Sequence, residues 1–533
     1  MITFDSLTLK SFITENRDFL TGARIQKIQQ PTRRDFILTV HGFSKNGIPE
    51  TRKLYINIDP QYYHICFMNK QNEEKRHIEI PQHPPMFCML LRKYLKNCKI
   101  NVIHQPAYER IIEFYTETFN KSREKMHLCF AVEFMGKHSN AVLYNSDTNV
   151  IIGCAHNVGA DKSRKREMSG TLPYFYPPKQ NKIDILNYTG NIDYEKINTD
   201  FYWFSKSFES QVKNVPPERL KDYVRLKNIS PAISGNYAEY TLFSELFEEN
   251  IPQNSVNEML DNYYAFHMQK NKIKNLKTYL TSIINPKLKK SKNSLSKILT
   301  QSDKEKNADK YRLYGDLIIA NLYNSKDYSK TIKLYDYENE QNITIELDAA
   351  LPLKENALKF YKLYTKSKTS LKKLKEVSEK LKADISYYED VLYLIEMSET
   401  IENLEEIQSE IAPEKEKQTK SQPSNQPLEL IIEKEKVWIG RNNRQNDYIV
   451  SKLARDEDYW FHIKDCAGAH VLLRKQNPAE ELIFECAKLA KEYSSAKLSP
   501  KAGVIYTKRK YLKKHPKAKL GYVTYSNEKE LIV

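Results

Sequence analysis

Between Asp261 and Asp303 the chain has no acidic residue, yet it carries Lys270, Lys272, Lys274, Lys277, Lys287, Lys289, Lys290, Lys292 and Lys297. This stretch predicts a long polar helix over about 257–322, which Pro286 is expected to kink or interrupt. Solvated helices mix signs along a face, because opposite charges one turn apart support each other. A lysine ladder without acids is costly unless an anion faces it; a general lysine bias is the plainer explanation. A second long helix is predicted over about 355–410. Its seam runs Leu371, Leu374, Ser378, Leu381, Ile385, Tyr388, Leu392, Ile395, which is a heptad pattern. Between the two helices, Thr331 to Tyr335 and Ile343 to Leu347 alternate as a small β insert would. Two long helices separated by a short insert fold back as an antiparallel coiled-coil arm.

A chain of 533 residues is too long for one core and divides into about three or four units. Residues 1–180 read as a mixed α/β or α+β domain. Leu54 to Ile58 and Ala141 to Tyr144 are strands, and Pro84 to Leu95 starts with proline and continues at helical period. Residues 181–256 read as mostly helical, with Leu226 to Ile233 a turn between two helices. Residues 412–427 are rich in Pro, Lys, Gln and Ser and read as a flexible linker. Residues 428–533 form a last compact domain. In it, large apolar and charged residues alternate around Trp460 as in a strand, Ala467-Gly468-Ala469 is a tight turn, and Val471 to Leu473 is a buried second strand. The fold class is multidomain α+β.

The net charge of +16 favours a polyanion, either nucleic acid or an anionic membrane face. No run approaches the ~20 apolar residues that span a bilayer. Met1 to Leu20 includes Asp5, Glu15 and Asp18 and has no signal-peptide apolar region. A soluble, cytoplasmic protein with no membrane partner is expected. Seven cysteines, an odd number without a Cys-x-x-Cys pair, imply buried free thiols rather than disulfides or a zinc knuckle. His462, Cys466 and His470 fall four residues apart, but strands around a turn would scatter them, so no metal is expected. The phosphate-cradling, dinucleotide, metalloprotease and nucleophile-elbow motifs are all missing. No catalytic residue, cofactor or enzymatic activity is expected.

Several local sequences match one family in one order along essentially the whole chain. They are Gly22-Ala23-Arg24-Ile25-Gln26-Lys27-Ile28-Gln29-Gln30-Pro31, Pro85-Met86-Phe87-Cys88-Met89-Leu90-Leu91-Arg92-Lys93, Met135-Gly136-Lys137-His138-Ser139-Asn140 and Tyr314-Gly315-Asp316-Leu317-Ile318-Ile319-Ala320-Asn321-Leu322-Tyr323. Gly440 to Tyr448 followed by Asp458 to Arg474 completes the set. Together they resemble the NFACT family and its RqcH type. The resemblance implies an NFACT-N-like domain at 1–180 and a helix-hairpin-helix-like segment at 181–256. It further implies a coiled-coil arm at 257–411 with a β insert near 328–350, a linker at 412–427 and an NFACT-R-like RNA-contact domain at 428–533. Where the family often has Asp-Arg, this chain has Glu109-Arg110. Asn228 stands where glycine usually precedes Ile-Ser-Pro, and Asn accepts positive φ better than most residues.

The resemblance implies a ribosome-associated quality-control factor. Such a factor binds a large ribosomal subunit obstructed by peptidyl-tRNA. It recruits aminoacyl-tRNA, alanyl-tRNA in RqcH-like members, to add a C-terminal tail to the stalled chain, marking it for degradation. It implies tRNA contacts at Asp5, Arg24, Arg92, Lys93, Glu109, Arg110, Lys137 and His138. It implies ribosomal RNA contacts at Lys287, Lys289, Lys290, Lys292, Arg441, Asn442, Asn443, Arg444, His462, Lys464, His470, Lys508, Arg509 and Lys510. Plainer readings stand beside these. Asp5 is a helix N-cap, Arg92 and Lys93 are a solvated face, and Glu109-Arg110 is a surface ion pair worth under ~1 kcal/mol. The run from Lys508 to Lys519 is a solvated loop, and Tyr506, Tyr511 and Tyr522 either stack on bases or pack in the domain. Two other functions remain open: a surface adhesin, as the older family name fibronectin-binding protein A suggests, and a general RNA-binding scaffold.

Overall fold

The computed structural model describes residues 4–119, 122–160, 166–305, 308–324, 328–337, 339–411, 426–514 and 519–533. Most of the proposed linker, 412–425, and residues 515–518 of the basic run lie outside the described residues. The chain divides into two compact units, Met1–Asn271 and Lys272–Val533.

The first unit opens with α1 (Ser6–Leu20), whose first turn is closed by the Asp5 carboxylate accepting from the Thr8 N–H at 2.8 Å. A four-stranded antiparallel meander follows: β1 (Arg24–Gln29), β2 (Asp35–Phe43), β3 (Pro49–Asn57) and β4 (His64–Met68). Next come α2 (Lys70–Arg76) and α3 (Met86–Leu95). Pro85 sets the start of α3, and its apolar face buries Phe87, Cys88, Leu91 and Leu95. A five-stranded antiparallel sheet runs β5 (Ile100–His104), β6 (Ile111–Phe119), β7 (Lys125–Glu133), β8 (Asn140–Asn145) and β9 (Ile151–Cys154). One face of each sheet contributes to a common core that includes Phe36, Ile56, Phe114 and Phe130.

Residues 181–256 depart from the helical expectation. Short helices α4 (Ile197–Asp200), α5 (Lys206–Gln211) and α6 (Pro217–Val224) lead into a three-stranded sheet of β10 (Ala232–Ser234), β11 (Tyr240–Thr241) and β12 (Asn250–Pro252). The Leu226 to Ile233 turn therefore joins a helix to a strand, not two helices. Leu226 and Asn228 both take positive φ there, at 59° and 52°.

The long helix α7 (Val256–Glu305) passes through Pro286 without interruption. Pro286 is exposed, so water can satisfy the carbonyl that loses its helical partner. After α8 (Ala308–Ala320), a hairpin of β13 (Thr331–Asp336) and β14 (Gln341–Glu346) leads into α9 (Leu353–Met397). The helices run antiparallel: Tyr361 packs on Gly315, where a Cβ would meet its ring at 2.9 Å, while Lys292 meets Glu389 farther along. The predicted seam residues are buried or half-buried. The second helix ends sooner than expected. After a break at Ser398, α10 (Ile401–Ile411) folds back, placing Leu404 and Ile407 with Val391, Leu394, Ile395, Leu280 and Ile284.

The C-terminal part has β15 (Leu428–Ile432), β16 (Glu435–Ile439), α11 (Asn443–Tyr448), β17 (Tyr459–Ile463), β18 (Val471–Leu473), α12 (Glu480–Glu492), β19 (Gly503–Lys508), β20 (Leu512–Lys513), β21 (Thr524–Tyr525) and β22 (Lys529–Ile532). Six strands form one sheet in the order β15-β16-β18-β17-β19-β22. Leu482, Cys486, Ala487 and Ala490 of α12 pack on one face with Phe461, Val471 and Leu473. The other face carries Trp438, Trp460, Leu472 and Ile505 under Ile449 and Val450. Five cysteines are buried, Cys154 is half-buried, and Cys466, in the turn after β17, is exposed against expectation. Among the described residues no helix is long and apolar enough to cross a membrane.

Candidate nucleic-acid interface

A cleft of about 1060 Å³ opens in the first unit. Its wall gathers the start of α1, the loop before β6, the 3-10 turn Gly136–His138 between β7 and β8, and the chain around residues 198–206. Six cationic side chains line it, Arg34, Arg110, Lys137, Arg166, Lys182 and Lys206, against two carboxylates, Asp5 and Glu109. That excess fits an anion better than a cation.

Asp5 is the helix cap, and its second oxygen accepts from Ser205 Oγ at 2.8 Å. Burial pushes its carboxyl up, opposed by the Thr8 and Ser205 bonds and by Arg110. Arg110 donates to the Tyr63 hydroxyl at 3.1 Å, and its guanidinium lies 5.8 Å from that ring's centroid. Burial also raises the Glu109 carboxyl, with Arg110 acting against it and Glu133 with it. Among the described residues no ion pair joins Glu109 to Arg110; Arg110 is oriented by Tyr63 instead. The next turn is held by Ser139, whose hydroxyl accepts from the Met135 N–H at 2.8 Å, and by Asn140, which bonds both backbone groups of His156. Lys137 and His138 are left exposed at the cleft. Arg166 is less available, since both its terminal nitrogens bond the buried Glu133, at 2.9 and 2.5 Å.

Aromatic rings line one side. Tyr108 stacks on Tyr202 with centroids 4.0 Å apart, Trp203 meets Tyr108 edge-on at 5.3 Å, and the Lys10 ammonium lies 4.5 Å from the Trp203 ring. Tyr108 and Trp203 hold φ of 67° and 78°. Left-handed backbone costs a residue with a side chain roughly 1–2 kcal/mol. Strain of that kind persists where packing over-determines it, often at functional sites.

Five of the eight residues expected at tRNA thus share one cleft: Asp5, Glu109, Arg110, Lys137 and His138. The other three do not line it. Arg24 donates to the Asn97 carbonyl at 2.9 Å, Arg92 donates to the Ile28 carbonyl at 2.8 Å, and Lys93 lies over Tyr94. Sequence reasoning missed Arg34, Lys182, Lys206, Tyr108 and Trp203. Tyr108, beside Glu109, and Trp203, one of three tryptophans, were the available signals.

In the second unit many of the expected RNA contacts already have partners within the chain. Lys287, Lys289 and Lys290 are exposed, with no ion pair among the described residues. Lys292 bonds Glu389 at 2.7 Å and Lys277 reaches the Glu396 carbonyl, so the acid-free face is partly answered by α9. Lys508 and Lys510 both bond Glu457 at 2.7 Å, holding its carboxyl down at about 2. Arg509 donates to the Val450 carbonyl and Lys464 pairs with Glu530 at 2.6 Å. His462 stacks on Trp460 with centroids 5.7 Å apart, and His470, buried, meets the same ring edge-on at 5.1 Å. Burial lowers both imidazoles, keeping them neutral. Tyr506 stacks on Phe461, so one face of its ring is used inside the domain. Arg441 is exposed, Arg444 half-buried, and Asn442 and Asn443 are buried.

The family model for the NFACT N-terminal and middle domains matches residues 5–218 and 206–427. The model for the NFACT protein RNA binding domain matches residues 432–527. The chain is similar to the Rqc2 homolog RqcH of Bacillus subtilis (strain 168), 28% identical over all of this chain and 98% of that protein. It is similar to the protein of the same name from Streptococcus pneumoniae (strain D39), 26% identical over 100% of this chain and 98% of the relative. A solved structure, the N-terminal part of the fibronectin/fibrinogen-binding protein from Streptococcus suis, is similar at 22% identity and a TM-score of 0.43, covering 49% of this chain and 99% of that one.

Proposed function

This chain belongs to the NFACT family, and from that premise we propose that it is an RNA-binding factor of ribosome-associated quality control. It acts in the cytoplasm on a large ribosomal subunit obstructed by peptidyl-tRNA. It recruits aminoacyl-tRNA, alanyl-tRNA by family likeness, so that the stalled chain gains a C-terminal tail that marks it for degradation. Peptide-bond chemistry belongs to the ribosome; this protein contributes positioning, itself a large rate effect. The full-length similarity to proteins named Rqc2 homolog RqcH supports this reading.

The observation that carries it is the gathering of Asp5, Glu109, Arg110, Lys137 and His138 at one cleft with excess positive charge and stacked aromatic rings. Cations answer phosphates, and rings with an open face accept bases. Arg24, Arg92 and Lys93 form a second set of contacts outside it. Lys287, Lys289, Lys290 and Lys292 of the arm, with Arg441, Arg444, Lys464, Lys508, Arg509 and Lys510 of the C-terminal domain, meet ribosomal RNA. Asn442, Asn443, His462 and His470 shape that second surface from beneath.

Arg110→Ala tests the assignment. Arg110 bonds one hydroxyl and acts on Asp5 and Glu109 through space, and Asp5 keeps its Thr8 and Ser205 bonds without it. A lost Arg contact to phosphate or a base edge costs ~1–3 kcal/mol. Recovery of tRNA with the tagged protein and tailing of a stalled reporter should fall about tenfold or more, with large-subunit recovery unchanged. Arg110→Lys should not restore function, because an ammonium cannot make the paired contacts of a guanidinium. Glu109→Asp should be tolerated. Unchanged tRNA recovery in Arg110→Ala would move the tRNA site elsewhere.

A further inference from the structure

Four carboxamides in the C-terminal domain are out of reach of solvent: Asn442, Asn443, Gln445 and Asn446 are exposed by 2% or less. Backbone N–H groups fix how three of them point. Asn442 Oδ1 accepts from the Gln445 N–H at 2.9 Å, Gln445 Oε1 from the Arg441 N–H at 2.9 Å, and Asn446 Oδ1 from the His470 N–H at 3.1 Å. With the oxygens committed to donors, the amide nitrogens of Asn442 and Gln445 must face the other way. Both donate to the same atom, Oε2 of Glu406, Gln445 at 3.2 Å. Asn443 donates to Glu410 Oε1 at 3.2 Å, and Tyr387 adds its hydroxyl at 2.7 Å.

These acids come from α10, at the end of the arm. Cations of the C-terminal domain surround them: Arg441 and Arg444 act on Glu406, Arg444 acts on Glu410, and Arg444 also donates to the Ser409 carbonyl at 3.3 Å. Lys519 pairs with Asp384 at 2.8 Å and lies over Tyr387 and Tyr388. The Asp390 carboxyl lies beside the Gly468 N–H, which favours its charged form against burial. The contact is polar, and several arm carboxylates hold it. Burial pushes the Glu406 and Glu410 carboxyls up, so it is costly to keep them charged in this place.

A carboxylate and a phosphate present the same kind of anionic oxygen to amide and guanidinium donors. We propose that α10 stands in for nucleic acid: Glu406 and Glu410 fill an anion cradle made by Asn442, Asn443 and Gln445, and an RNA phosphate must displace them to reach the Arg441–Arg444 loop. The inference rests on the reading that the C-terminal domain contacts RNA. Its occupant in the absence of RNA is this chain's own helix. The arm and the RNA therefore compete for one surface, and free protein is held in a lower-affinity state.

The test uses the full chain and a short fluorescein-labelled RNA hairpin, followed by anisotropy. Glu406→Gln/Glu410→Gln keeps the shape and the hydrogen-bond acceptors while removing the charge, and equal thermal melts will show that the fold is intact. At ~50 mM salt this variant should bind about tenfold more tightly, with the difference shrinking by ~200 mM. Adding Arg441→Ala/Arg444→Ala should abolish that gain. Glu376→Gln/Glu379→Gln makes the same charge change on an exposed stretch of α9 and should gain little. Equal tightening in that control would overturn the cradle in favour of general charge. Equal affinity of wild type and Glu406→Gln/Glu410→Gln, both weakened by Arg441→Ala/Arg444→Ala, would overturn the inference and leave the RNA-contact reading standing. Affinity that no Arg441 or Arg444 variant changes would overturn both.

Discussion

Removing Asp261 should be among the most damaging single changes in the first unit. Its side chain is 1% exposed and meets Arg76, 0% exposed, at 2.6 Å. The other Asp261 oxygen accepts from the Asn69 N–H at 2.9 Å and from Asn72 at 2.8 Å, and Arg76 also donates to the Asp261 carbonyl at 3.1 Å. This network ties α2 to the first turns of α7, whose opening N–H groups, Val256 and Asn257, bond Glu15 at 2.7 and 3.1 Å. Asp261→Ala leaves a buried guanidinium without its counter-charge, which costs ~3–5 kcal/mol. For a unit of this size each kcal/mol shifts Tm by ~2–4 °C, so the first transition should drop by about 6–20 °C in calorimetry. Replacing both partners, as in Arg76→Met/Asp261→Leu, removes the unpaired charge and should recover much of the loss. A shift of under about 2 °C for Asp261→Ala, well below the ~6 °C expected, would mean that water already reaches the pair and that the α7 root is not built on it.

Docking of the arm on the C-terminal domain should weaken as pH rises. Burial, with Glu389 and Glu410 nearby, pushes the Asp390 carboxyl up to about 7 against the opposing Gly468 N–H. A raised carboxyl favours the docked state when protonated, so its benefit is full at low pH and lost as pH rises through about 7. From pH 6 to pH 8 the docking equilibrium should fall up to about tenfold, read as faster intrinsic-rate-corrected hydrogen exchange at Gly468, and Asp390→Asn should flatten the response. Gly440→Ala should destabilise the cradle, because a Cβ there would overlap Asn446 Oδ1 and meet the Asn446 backbone N at 2.9 Å. Overpacking of this kind costs ~1–3 kcal/mol, and an unchanged urea midpoint would show that the loop can move aside.

What the sequence discloses here follows the range over which each force acts. The strands at Leu54 to Ile58, Ala141 to Tyr144 and around Trp460, the helix after Pro85 and the hairpin at 331–347 carry their period within a few residues, and all appear in the fold. The sheet at 232–252 does not announce itself, since strands of two or three residues are too short to set up an alternation. Pro286 signals an interruption that exposure to solvent makes unnecessary. The break near Ser398 is hidden because Leu404 and Ile407 continue an apolar pattern while packing back on Val391, Leu394 and Ile395.

The same limit governs charge, and it changes how the basic character of this chain should be understood. Read along the sequence, the lysine-only stretch of α7 and the run from Lys508 onward look like cations waiting for phosphate. In space, Lys292 has found Glu389, Lys508 and Lys510 share Glu457, and Lys519 has found Asp384. Exposed pairs of this kind are weak and screened by salt, so they do not prevent RNA binding. They do set its reference state: each internal acid must be exchanged for a phosphate, and the net gain is smaller than a count of lysines suggests. The cleft of the first unit differs in kind. Its cations converge from Arg34 to Lys206 in sequence and no periodic pattern links them; among the described residues Arg34 pairs with Asp59 and Arg166 with Glu133, while no ion pair holds Arg110, Lys137, Lys182 or Lys206. RNA affinity per cation should therefore be greater at the cleft than along the arm, and charge removal at Lys137 or Lys182 should cost more binding than removal at Lys292 or Lys508.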